Sequence, residues 1–185
     1  MPGIKGQKHN PELMGKYAHM NKNDVVFTPD WLAEKTCSMF PIEGKVLEPC
    51  KGEGVFLKYL PKDTEWCEIT EGRNFHDYNK KVDWIVTNPP YSDFDRFLER
   101  SFKLADNVIF IMTLAKVFKS MGTIKKVLAY GDIVSCHMLS GGKAGFPFGF
   151  PVGVYYFKRG YKGNTKLSLI PEDQLGLTIK DTKDD

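Results

Sequence analysis

"VDWIVTNPPYSDFDRFL", residues 82–98, joins an apolar run to a helical pattern through a loop stiffer than an ordinary turn requires. Residues 82–86 are β-formers broken only by Asp83, and the run halts at Asn88-Pro89-Pro90-Tyr91. Beyond it Phe94, Phe97, Leu98 and Phe102 recur at helical spacing, a stripe suited to covering a core. A strand that is apolar at successive positions is buried on both faces, as in a parallel sheet. Working outward, residues 45–47, 65–69, 107–112, 132–138 and 152–158 read as further strands. Thr28 reads as an N-cap with Pro29 in the first helical position and Pro41 closing the segment. Ser92 and Asp95 have capping-box spacing. Val117, Met121, Ile124 and Leu128 form a second stripe, stopped by Gly131. Alternating strands and helices predict an α/β fold whose ligand sits at the carboxyl ends of the strands.

Composition narrows the class. The chain has 185 residues, 42% hydrophobic and 26% charged, which suits one soluble domain with a full core. No apolar run nears the roughly 18–20 residues a membrane span needs, and no secretory leader is visible. Cys37, Cys50, Cys67 and Cys136 are scattered, without metal-ligand spacing, so no metal is expected and reduced cytoplasmic thiols are. The formal charge of +3 is small, but Lys5, Lys8, Lys16 and Lys22 crowd residues 1–23 against one acid, Glu12. That arm is read as flexible and able to touch phosphates, with a single domain over 24–180 and a frayed tail from about Asp181.

The loops after the strands carry the chemistry. After the first comes Glu48-Pro49-Cys50-Lys51-Gly52-Glu53-Gly54-Val55-Phe56. Gly52 and Gly54 permit close approach of a ligand to bare backbone, although a tight turn needs the same residues. The third glycine of a dinucleotide site is missing, and the acid at the strand end suits a cationic ligand better than a pyrophosphate. Glu68, at the end of the second strand, is placed to accept ribose hydroxyls. Asn74-Phe75-His76-Asp77-Tyr78 follows, with an amide or carboxylate for an adenine edge and an aromatic for its face.

Asn88-Pro89-Pro90-Tyr91 is held extended, because a residue before proline is driven from helical geometry and neither proline donates a hydrogen bond. Such a segment presents fixed acceptors, the Asn88 oxygen and the Pro89 carbonyl, beside an aromatic ring. That arrangement suits alkylation of a planar amino nitrogen, whose delocalised lone pair makes it a poor nucleophile. Acceptors on its N–H groups disperse the developing positive charge, and their rigidity limits reorganisation. No base of unusual pKa is needed.

Together "FTP" (27–29), "LEPCKGEGVFL" (47–57), "EI" (68–69), "NF" (74–75) and "NPPY" (88–91) resemble the S-adenosylmethionine-dependent N6-adenine DNA methyltransferases, in their γ-like motif order. The resemblance covers about residues 24–120. It implies a Rossmann-like class I methyltransferase fold with an antiparallel strand near the C-terminal end. It places Thr28, Pro29, Glu48, Pro49, Gly52, Gly54, Phe56, Glu68, Ile69, Asn74 and Phe75 around the cofactor, with Asn88, Pro89, Pro90 and Tyr91 catalytic. The family commonly has Asp before that Phe where Asn74 stands, so Asp77 is the alternative adenine-edge residue. The stretch "SGGKAGFPFGFPVG" (140–153) resembles the loop that supplies a second aromatic against the target base, from Phe146 or Phe148, with a hairpin of core aromatics as the equal alternative. Lys5 and Lys8 are assigned to DNA. No separate target-recognition domain is expected, so sequence specificity is expected to be relaxed or very short, unless a protein partner supplies it. Adenine or guanine in RNA, protein glutamine and a non-catalytic cofactor-binding subunit stand as alternatives.

Overall fold

The structure, a computed structural model, describes residues 26–171. The arm with Lys5 and Lys8, and the tail, lie outside the described residues. Seven strands form one sheet: β1 (Val46–Glu48), β2 (Glu65–Trp66), β3 (Val82–Thr87), β4 (Ala105–Thr113), β5 (Gly131–Ser140), β6 (Pro151–Arg159) and β7 (Lys166–Leu169). Their order is β2-β1-β3-β4-β6-β5-β7. β6 runs antiparallel to both of its neighbours, and every other pairing is parallel. The carboxyl ends of β1, β2, β3, β4 and β5 therefore share one edge.

The two-faced burial of the central strands holds the fold together. In β4, Val108, Phe110 and Met112 join one apolar cluster while Ile109 and Ile111 join the other. Trp84 and Val86 of β3 point one way and Ile85 the other, as the period of two requires. α1 (Asp30–Ser38) covers the second cluster with Leu32 and Ala33. α2 (Phe94–Leu104) covers the first with Phe94, Phe97, Leu98 and Phe102, the stripe read from sequence. Among the described residues there are three further α-helices: α3 (Leu114–Phe118), α4 (Met121–Tyr130) and α5 (Gly141–Ala144).

Several sequence expectations are corrected. Thr28 does not cap α1; the Pro29 carbonyl takes the Leu32 and Ala33 N–H groups at 3.0 and 3.1 Å, so the helix starts at Asp30. The Ser92–Asp95 box does not form, since residues 91–93 make a 3₁₀ turn and Asp95 instead accepts from the Thr123 hydroxyl at 3.1 Å. The 65–69 strand is cut to Glu65–Trp66, because the Glu68 carboxylate accepts from Thr70 N–H and turns the chain. The second stripe is broken at Ser120, whose hydroxyl caps α4 through Thr123 N–H. α4 is turned about its axis so that Thr123, Val127 and Tyr130 pack inward, leaving Met121 66% and Leu128 49% exposed. β7 has no apolar-in pattern, with Leu167 and Leu169 exposed, and it forms by pairing with β5.

This geometry separates two leucines that periodicity alone would rank together. Leu98→Ala, at a fully buried position, should cost about 2–5 kcal/mol of unfolding free energy. Leu128→Ala should stay within about 0.5 kcal/mol. Urea titrations of the two variants give both numbers, and comparable losses would contradict the rotation of α4.

Candidate active site

At the carboxyl edge the loops after β1, β2 and β3 meet the loop that joins β5 to β6. The first loop is shaped by two glycines in left-handed backbone, Gly52 at φ 52° and Gly54 at φ 80°. Gly52 N–H donates to Glu68 Oε2 at 2.8 Å, which ties the first loop to the end of β2. Glu68 Oε1 takes Thr70 N–H at 3.0 Å and the Thr70 hydroxyl at 2.7 Å. A carboxylate offers about four lone-pair sites, and three are spent here. One site is left for a ligand hydroxyl without disturbing the turn.

Glu48 sits deeper. It is 1% exposed, its Oε1 accepts Cys50 N–H at 3.2 Å, and its Oε2 has no partner among the described residues. Burial pushes its carboxyl up from 4.5 to about 8, and the nearby charge of Glu68 adds to the rise; Thr87 and Cys50 N–H pull the other way. Cys50 stitches β1 to β3, its Sγ lying 3.1 Å from Thr87 Oγ1 and donating to Asn88 O at 3.2 Å. Burial holds that thiol protonated, well above its ordinary range, so it acts as a donor and not as a nucleophile.

The other residues expected from the sequence to line a cofactor lie in and around the same loops. Pro49 is buried and Ile69 half-buried in its 3₁₀ turn. Phe56 packs in the cluster beneath α1, with Leu32 and Trp84. Asn74 uses its Oδ1 on His76 N–H at 3.0 Å, and Phe75 is buried with its ring 4.9 Å from that of Phe97. Asp77, the alternative to Asn74, is exposed. His76 Nε2 meets Asp93 Oδ2 at 2.7 Å, which fastens the 75–77 turn to the turn that follows Tyr91. Sequence reading passed over that pair, as it passed over Lys116, whose Nζ donates to Tyr91 O at 2.7 Å. Neither carries a local pattern; both are visible only once β3 and β4 lie side by side.

Asn88 is held from two sides. Its Nδ2 donates to Val26 O and to Thr28 Oγ1, each at 3.1 Å. A carbonyl only accepts, so Val26 fixes which end of the carboxamide faces inward. Oδ1 has no hydrogen-bond partner among the described residues and is shut off from solvent. An orphaned buried oxygen costs about 1–3 kcal/mol, which marks it as an atom kept for something other than stability. An incoming group reaches it only after neighbouring side chains give way. Pro89 beside it is buried, and the Pro90 carbonyl takes Asp93 N–H at 3.2 Å to start the following turn.

The β5–β6 loop brings aromatic rings to this point. Phe148 lies 6.1 Å from Tyr91, tilted by 57°, with Phe146 stacked behind it at 5.4 Å. Phe146 is 4% exposed and belongs to the core, so of the two candidates Phe148 is the one beside Tyr91. Gly141 makes the loop possible: a Cβ there would meet the Phe150 carbonyl at 2.4 Å. The loop is anchored to α1 by the Trp31 indole N–H, which donates to Ala144 O at 3.2 Å.

No family model matches the sequence, and no curated protein matches it. Solved structures do. A candidate RNA methyltransferase from Pyrococcus horikoshii aligns over 80% of this chain and 97% of its own, with a TM-score of 0.55 at 16% identity. A candidate class I S-adenosylmethionine-dependent methyltransferase from Listeria monocytogenes aligns over 85% of this chain and 70% of its own, at 0.58 and 11%. The fold is that of the class I methyltransferases. The methyltransferase subunit of a type I restriction-modification system from Streptococcus thermophilus also matches, over 89% of this chain, at 0.58 and 14%. The chain spans 54% of that subunit's length.

The buried state of Glu48 makes a pH prediction. The folded protein keeps a proton on this carboxyl that the unfolded chain loses above about pH 4.5. The resulting stability is full below that pH and is lost as pH rises through about 8. Glu48→Gln removes this dependence, so its stability relative to wild type should climb between pH 5 and 8, by on the order of 3–5 kcal/mol. Denaturant melts at several pH values measure the difference, and parallel pH profiles would refute it.

Proposed function

We propose that the protein transfers a methyl group from S-adenosylmethionine to the N6 amino group of adenine in DNA. The observation that carries this reading is the Asn88 carboxamide, pinned with its donors inward and its oxygen unclaimed, beside the rings of Tyr91 and Phe148. When bound, S-adenosylmethionine supplies an electrophilic methyl carbon whose bond to the positively charged sulfur breaks as the new bond to nitrogen forms.

The residues at the edge fit that cofactor. Glu48 Oε2 is a buried, unpartnered acceptor at the end of β1, and Glu68 stands at the end of β2 with one lone-pair site to spare. A cation bound at the glycine loop would offset the burial that keeps Glu48 protonated and so favour its charged form, whereas a pyrophosphate would meet the carboxylate of Glu68 as a like charge. Pro29, Pro49, Gly52, Gly54, Phe56, Ile69, Asn74 and Phe75 complete the assignment to the cofactor.

Asn88 Oδ1 and the Pro89 carbonyl accept the two N–H groups of the target amine. Their partial negative charges favour the pyramidal nitrogen that attacks, and the loop needs little rearrangement to provide them. Once the new bond forms, the excess proton leaves to water, so no side chain must titrate. Tyr91 and Phe148 stack on the base, which helps offset the few kcal/mol needed to take it out of a duplex. The likeness to a type I restriction-modification subunit supports DNA as substrate and a protein partner that supplies sequence choice. Adenine in RNA is the second reading, supported by the likeness to the candidate RNA methyltransferase.

Labelled S-adenosylmethionine offered with DNA, RNA and protein should mark DNA. Asn88→Ala should lower that transfer by roughly 10²–10³-fold, the range for removing one preorganised dipole. Calorimetry should find its cofactor affinity nearly unchanged. Label in protein, or equal losses of rate and affinity, would overturn the assignment.

A further inference from the structure

Thr28 is buried at 9% exposure and lies 60 residues from Asn88 in sequence, yet its hydroxyl takes one of the two amide protons of Asn88. The Val26 carbonyl takes the other. Resting on the methyl-transfer reading above, we infer that the Thr28 hydroxyl is a positioning residue for the reaction: with the Val26 carbonyl it locks the carboxamide of Asn88 so that only an acceptor faces the target nitrogen.

An asparagine side chain has two nearly isosteric orientations, differing in which end is oxygen and which is NH₂. Presented outward, the NH₂ would oppose the N–H groups of an arriving amine. Presented inward, both of its protons need acceptors. The Val26 carbonyl selects the inward orientation because it cannot donate. One contact alone would leave the second N–H seeking a partner by rotation about the side chain, and the Thr28 oxygen removes that freedom. Both protons are then used, and the plane of the amide is fixed by two points.

The placement of Thr28 follows from where α1 begins. Had Thr28 capped the helix, its hydroxyl would point at the backbone N–H groups of the first turn. The Pro29 carbonyl does that work on Leu32 and Ala33, so the threonine oxygen is released to meet Asn88. The same segment is braced against the aromatic loop. The side chain of Pro29 lies beneath Gly145, and Trp31 bonds to the Ala144 carbonyl. The 26–31 segment thus fixes the amide and the loop bearing Phe148 at once.

The test compares two substitutions. Thr28→Val keeps the shape and deletes the hydroxyl; Thr28→Ser keeps the hydroxyl and deletes a methyl. The valine variant should lose roughly ten- to a hundredfold in kcat, the equivalent of leaving one buried N–H donor unpaired, with the KM for cofactor little changed. The serine variant should restore most of that rate. Equal losses in both variants would mean that Thr28 serves packing, and a rise in cofactor KM at constant kcat would mean that it serves only the cofactor; either overturns the inference. A readout independent of turnover is the side-chain NH₂ of Asn88 by NMR. Its two protons should exchange slowly in the wild type and measurably faster in Thr28→Val, whereas identical exchange would overturn the inference. Should the wild type transfer no methyl group to any substrate, that exchange comparison still decides whether Thr28 holds Asn88, and only the methyl-transfer reading falls.

Discussion

The hydrogen bonds from Asn88 Nδ2 to Val26 and Thr28 are the constraint around which the carboxyl edge of the sheet is arranged. They join the segment before α1 to the end of β3, across 62 and 60 residues of sequence. Each partner must therefore be delivered by a different part of the fold. α1 lies over the face of the sheet that carries Trp84 and Val86, and β3 sits between β1 and β4. The parallel order then brings Cys50 under Asn88 O, and Lys116, after β4, onto Tyr91 O. The loop is gripped through its backbone on both sides while its side-chain oxygen is left alone.

The proposed function of this edge opposes stability. Glu48 Oε2 and Asn88 Oδ1 are buried acceptors without partners among the described residues, on neighbouring strands β1 and β3. Each costs free energy that a hydrogen-bonded or apolar replacement would avoid. The core offsets that cost: β3, β4 and β6 carry fully buried side chains such as Ile85, Phe110 and Tyr155. A sheet buried on both faces is rigid enough to hold unfavourable groups in fixed directions, which is what a preorganised site requires.

The same two-faced burial made the central strands legible in the sequence, because β3 and β4 have to be apolar at consecutive positions. The NPPY stretch was legible for a different reason, since two prolines after an amide leave so few backbone options. What escaped was set by contacts distant in sequence. Met121 and Leu128 have the spacing of a core stripe, but α4 packs through Val127 and Tyr130, the latter stacked on Phe102, and leaves them in solvent. Thr28 looks like a helix cap because local sequence cannot reveal that Pro29 takes that role and Asn88 takes the hydroxyl. Phe146 and Phe148 are indistinguishable by pattern, and only the approach of the loop to Tyr91 separates core from site. Lys116 and the His76–Asp93 pair have no sequence signature at all.

The proposed chemistry of this edge is alkylation of an exocyclic amino nitrogen of a nucleobase. Mass spectrometry of nucleosides released from DNA, after incubation with the protein and S-adenosylmethionine carrying a deuterated methyl group, tests it directly. The expected product is N6-methyldeoxyadenosine carrying the deuterated methyl. A methyl group on a ring carbon, on an oxygen, or on the side chain of a protein would contradict it.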